Sequence, residues 1–173
     1  MMLALAVAGG SSDAIGHLVD PWAKLYSGSK LVSALVLFFH LVPLVIAAGT
    51  AFVSDRATIR ASHSGLNDRA RQLKEQLKTH RIVLIGLTMS FVSGVLLFLA
   101  DIDTFLGSKW FYVKLGFVGL LLINGFIITR TERVLVRWGD KDTLWNRMRL
   151  LAYLSEGLWL STILAGVLLA SFA

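Results

Sequence analysis

Leu31 to Val53 is a run of 23 residues without a formal charge, and it constrains the chain more than any other feature. A predominantly apolar stretch of about 20 residues is what a helix needs to cross the ~30 Å hydrocarbon layer of a bilayer. Lipid offers no partner for backbone N–H and C=O groups, so a single segment of this kind has to be helical. One ionisable side chain interrupts it: His40. An imidazole at that depth is expensive to hold, which makes it a candidate functional residue from the outset.

Three further segments repeat the pattern. Ile82 to Ala100 is uncharged, Trp110 to Thr129 carries only Lys114, and Leu150 to Ala173 carries only Glu156. Over the whole chain 55% of residues are hydrophobic and 16% charged, against roughly 25% charged in a soluble globular domain. The expected fold is an all-α membrane protein. It is a four-transmembrane-helix bundle over residues 31–173, preceded by a periplasmic or interfacial segment over residues 1–30.

The basic residues set the expected orientation. Arg56, Arg60, Arg69, Arg71, Lys74, Lys78 and Arg81 lie between the first two spans. Arg130, Arg133, Arg137, Lys141, Arg147 and Arg149 lie between the last two. The positive-inside rule puts both connections in the cytoplasm and both termini outside, in the periplasm if the chain sits in a bacterial inner membrane. The net charge of +6 is thereby assigned to membrane topology rather than to nucleic acid. With no cysteine in the chain, disulfides, thiolate metal sites and covalent haem attachment are excluded.

Outside the spans, two amphipathic stretches are expected to be helical. Ile15, Leu18, Trp22, Leu25 and Tyr26 share a face, with Asp20-Pro21 as an N-cap and first helical residue, which predicts a helix lying in the interface. Leu66, Ala70, Leu73 and Leu77 form a narrow stripe among charges, which predicts a solvated helix resting on headgroups or a surface for a cytoplasmic partner. Met1 to Gly10 is apolar but too short to span, and is read as an outer-surface segment. Within the spans, Gly86-Ser90-Gly94 and Gly157-Ser161-Ala165 are small-residue stripes of the kind that lets membrane helices approach closely. The first is a candidate contact within the bundle or with further helices. A bundle of four spans leaves little room around a cofactor, so a homo-oligomer or a larger membrane complex is expected.

Few polar groups lie at membrane depth. His40 stands about 13 Å from the outer end of its helix at 1.5 Å per residue. Three roles compete for it: a structural donor to Ser90, Ser93 or a carbonyl, a haem or metal ligand through a neutral ring nitrogen, or a proton carrier. Lys114 starts from the same outer side at similar depth. It either snorkels toward Asp101 and Asp103 or serves as a second ligand. His80 sits about 20 Å lower than His40 by helix rise, too far to share an iron with it. His80 and Glu156 are an expected proton-handling or structural pair near the cytoplasmic ends of their spans. No nucleophile–base pair, phosphate loop or His-x-x-x-His motif is present, so no catalytic residue is assigned.

Phe39-His40-Leu41, Ser54-Asp55-Arg56, Gly94 to Phe98, Phe111-Tyr112-Val113-Lys114-Leu115, Ser155 to Trp159 and Ala165-Gly166 occur in this order. That order resembles a loose superfamily of bacterial four-helix membrane proteins, which includes the membrane domain of copper-resistance protein D. The HemJ-type protoporphyrinogen oxidase shares the outline of a histidine in an early helix and a lysine opening a later one. The resemblance covers about Val32 to Leu169 through short motifs. It implies a b-type haem held by His40 and Lys114. The family's further histidine-containing stretches are missing; Asn124 and Gly125 stand where one would be, so the oxidase activity is not carried over. The expected function is therefore haem binding, or an accessory place in a membrane redox and electron-transfer complex. A copper- or ion-transport component and a purely structural subunit are the alternatives.

Overall fold

A computed structural model describes residues 19–172; nothing is stated of the others or of the Leu77 side chain. Residues 19–28 form helix α1. Then follow α2 (Lys30–Ser62), α3 (Leu66–Ala100), the short α4 (Ile102–Gly107), α5 (Lys109–Trp138) and α6 (Asp142–Phe172). The described residues contain no strand. α2, α3, α5 and α6 are each long and apolar enough to cross a membrane. Their outer faces carry Phe39, Val45, Phe91, Ile123, Phe126 and Leu160, each at least half exposed. A soluble monomer rarely exposes apolar surface on that scale, whereas lipid covers it.

The helices outrun their apolar segments. At 1.5 Å per residue they measure about 45–52 Å, against a hydrocarbon layer of about 30 Å. The excess lies at the basic end, where both connections shrink to the three residues between adjoining helices. At one of these turns Gly139 adopts φ 84° and returns its N–H to Leu135 O at 3.2 Å. This positive φ favours glycine over any residue with a β-carbon.

The helix expected between the first two spans is present, as an unbroken N-terminal extension of α3. Its leucine stripe is not the packed face. Leu66 and Ala70 are exposed and Leu73 is half-buried, while Gln72 and Gln76 are buried against α2. Their amides explain why. Gln72 Nε2 donates to Thr58 Oγ1 at 3.1 Å and Thr58 Oγ1 to Gln76 Oε1 at 2.9 Å, so the buried polar groups satisfy one another. The N-terminal expectation changes too: α1 runs through Asp20-Pro21 instead of starting there. Trp22 Nε1 ties it to Leu96 O at 2.8 Å. Met1 to Gly10, Ile15, His17 and Leu18 lie outside the described residues.

Close packing joins α2 to α3, α5 to α6 and α2 to α6. Around the bundle the order is therefore α3, α2, α6, α5, and α3 and α5 flank a cleft that only side chains bridge, His80 to Thr129 and Phe98 to Phe111. Small residues make the α2–α3 contact. A β-carbon on Gly86 would meet Pro43 O at 2.7 Å and Ala47 Cβ at 2.9 Å, and one on Gly94 would meet His40 Cε1 at 3.0 Å. The Gly86-Ser90-Gly94 face is thus consumed inside the bundle and is not free for another subunit. The second stripe is not one face: Ala165 is buried, whereas Gly157 is exposed with nothing within 4 Å of its would-be β-carbon.

Candidate functional site

The cleft between α3 and α5 holds two cavities, separated by Leu87, Leu121 and Trp159, which line both. The one farther from the basic end has a volume of about 260 Å³ and contains His40 and Lys114. Its geometry begins with Pro43. Proline has no N–H, so the carbonyl four residues earlier, Phe39 O, loses its helical partner. The Ser93 hydroxyl stands 3.1 Å from that oxygen. The replacement follows a general pattern, in which Ser and Thr on a neighbouring helix satisfy the carbonyls that a membrane proline frees. Ser90 Oγ donates to His40 O at 3.0 Å. α3 is thus held to α2 on both sides of the histidine.

His40 Nδ1 lies 2.9 Å from Ser90 O and 3.3 Å from Ser93 Oγ. A carbonyl only accepts, so Nδ1 carries the proton of this bond and Nε2 keeps its lone pair. That lone pair faces Lys114 Nζ at 3.5 Å. Lys114 does not snorkel toward Asp101 or Asp103. Its Nζ and Cε lie beside Gly166 of α6, 3.7 and 3.8 Å from where a β-carbon would be. Near the site Phe98 and Phe111 stack at 5.4 Å with Phe105 edge-on, and all three line the cavity.

The second cavity, about 310 Å³, lies toward the basic end and is lined by His80, Asp55, Gln76, Thr129 and Ser155 among apolar side chains. His80 Nε2 is 2.7 Å from Thr129 Oγ1. Glu156 is not its partner. Arg56 Nε reaches Glu156 Oε1 at 2.7 Å, an ion-pair distance without hydrogen-bond alignment. The expected His80–Glu156 pair is therefore not formed, because each finds a partner on another helix, Thr129 on α5 and Arg56 on α2.

Two buried carboxylates were not foreseen from the sequence, Asp55 at 5% exposure and Glu132 at 3%. Both lie about one helical turn or less past the end of an apolar run (Asp55 two residues after Val53, Glu132 four after Ile128), and helical continuation of the run carries them inward. Among the described residues no group of three metal-ligating side chains converges. Compared with protein-family models, curated proteins and solved structures, the chain matches none of them.

Proposed function

We propose that this chain is a four-span protein of a bacterial inner membrane, with both termini periplasmic, that binds a b-type haem through His40 and Lys114. The observation that carries the reading is the pair of nitrogens from two helices, His40 Nε2 and Lys114 Nζ, facing each other at 3.5 Å inside the cleft. The donor chemistry suits the group: an imidazole nitrogen with a free lone pair on α2 and an amine on α5 are the side chains that would hold it.

Bound haem would supply one-electron transfer. The chain's own residues do the rest. Ser90 O fixes the imidazole tautomer, the usual part of a hydrogen-bonded outer partner to a ligand histidine. Gly94 gives the ring room, where a β-carbon would sit 3.0 Å from Cε1. Phe98, Phe105 and Phe111 offer flat apolar surface and exclude water.

The purified protein, supplied with haem during expression, is expected to give a reduced-minus-oxidised b-type spectrum. His40→Ala should abolish that signal and His80→Ala should keep it. Equal haem content in wild type and His40→Ala would remove the proposed ligand. Loss in His80→Ala alone would move the site to the basic end.

A further inference from the structure

The second cavity has a chemistry of its own. Asp55 lines it, 5% exposed, and its Oδ2 has no hydrogen-bond partner. Among the described residues no basic side chain pairs with this carboxylate; its neighbour Arg56 turns to Glu156 instead. The Glu132 and Glu156 carboxyl groups lie nearby. A buried charge without a partner is costly unless something neutralises it.

The remaining walls are mostly apolar, with Leu84, Leu122, Phe126 and Trp159 among them. The cavity lies in the same α3–α5 cleft, which His80 Nε2 and Thr129 Oγ1 bridge at 2.7 Å. No third metal ligand converges on it among the described residues, and about 310 Å³ is the size of a small organic ligand's pocket.

We infer that this cavity binds an amphiphilic organic amine, its ammonium group on Asp55 and its apolar body in the cleft. An ammonium brings three donors, and the Ser155 hydroxyl beside Asp55 and the Thr79 hydroxyl can orient it. The amine is either a free lipophilic amine or the amino headgroup of a phospholipid. This site does not depend on the haem reading, since Leu87, Leu121 and Trp159 divide the two cavities.

The test uses the full chain in phosphatidylcholine nanodiscs, titrated with adamantan-1-amine and, as a neutral analogue of the same shape, adamantan-1-ol. Saturable binding of the amine, at least tenfold tighter than the alcohol, is expected. Asp55→Asn should weaken it at least tenfold, while Leu84→Ala, which touches the apolar body, should weaken both compounds alike. Competition by added phosphatidylethanolamine identifies the headgroup as the source, and absence of competition identifies a free amine. Equal affinity for amine and alcohol, or unchanged amine binding in an Asp55→Asn protein with the wild-type helical content and melting profile, overturns the proposal. Failure to bind the amine at all does the same.

Discussion

The two ends of this bundle hold their helices together by different means. At the basic end cations gather the chain, Arg69 above all. Arg69 donates to Asp140 at 2.9 Å, to Asp142 at 2.8 Å and to Ser62 O at 2.9 Å, and its guanidinium lies over Trp145. Trp145 is itself fully buried and donates to Asp140. Around them Ala61, Ile128, Leu135, Met148 and Leu151 form a closed apolar cluster. At the other end α3 touches α2 through glycine and alanine, and reaches α5 only through the Phe98–Phe111 stack across the cleft. Charge-assisted hydrogen bonds and large side chains concentrate stability in one region. The other keeps space around His40 and Lys114, and the second cavity continues from there toward the basic end.

The sharpest way to break this contrast is Trp145→Ala. Truncating a fully buried tryptophan costs about 3–5 kcal/mol, and here it also strips Asp140 of a donor and Arg69 of its aromatic partner. Thermal unfolding in detergent should show the loss, with the haem spectrum proposed above unchanged in the folded fraction. If the loss were under about 1 kcal/mol, the basic end would not be the anchor described.

A smaller effect is expected in the cleft's supporting helices. Gly86→Ala places a β-carbon 2.7 Å from Pro43 O, a backbone atom that no rotamer change can move. Overpacking of this kind costs about 1–3 kcal/mol. Unlike Trp145→Ala, it should also disturb His40, which sits one turn from Pro43 and is bound to Ser90 on the same face of α3. A change in the haem spectrum greater than that of Trp145→Ala would show that α2–α3 spacing sets the imidazole position. An unshifted spectrum would separate the two.

Much of this difference was legible in the chain and some was not. Apolar runs with at most one charge forecast the four helices long and apolar enough to cross a membrane, because length and hydropathy are read directly from the chain. His40 and Lys114 stood out because an ionisable group in such a run is rare. Their facing geometry depends on which helices neighbour each other, and no spacing in the sequence encodes that. The Arg69 assembly was hidden for another reason: its partners Asp140 and Asp142 lie over seventy residues away, and isolated surface charges carry no pairing signal. The leucine stripe of α3 misled because a narrow apolar stripe is a weak guide when glutamines can satisfy each other inside. The length of the helices beyond their apolar runs was hidden because polar residues after such a run read as connection, although no glycine or proline breaks the helix over residues 54–62 or 130–138.

The smallest effect is also the test of what lies outside a single chain. Gly157 faces outward on α6 with nothing within 4 Å. In a lone bundle Gly157→Ala adds a methyl to open space and removes a poor helix former, so stability should be unchanged or raised by up to about 1 kcal/mol. That result should hold in detergent and in bilayers alike. Glycine on a lipid-facing surface is also where a second helix can come close enough to pack backbone to backbone. If Gly157→Ala is neutral in dispersed detergent but loosens the protein or splits a larger particle in bilayers, then this face meets another chain. The paired measurement therefore reads assembly directly. A neutral outcome in both media leaves Gly157 facing lipid and directs the search for a partner to the other exposed helix faces.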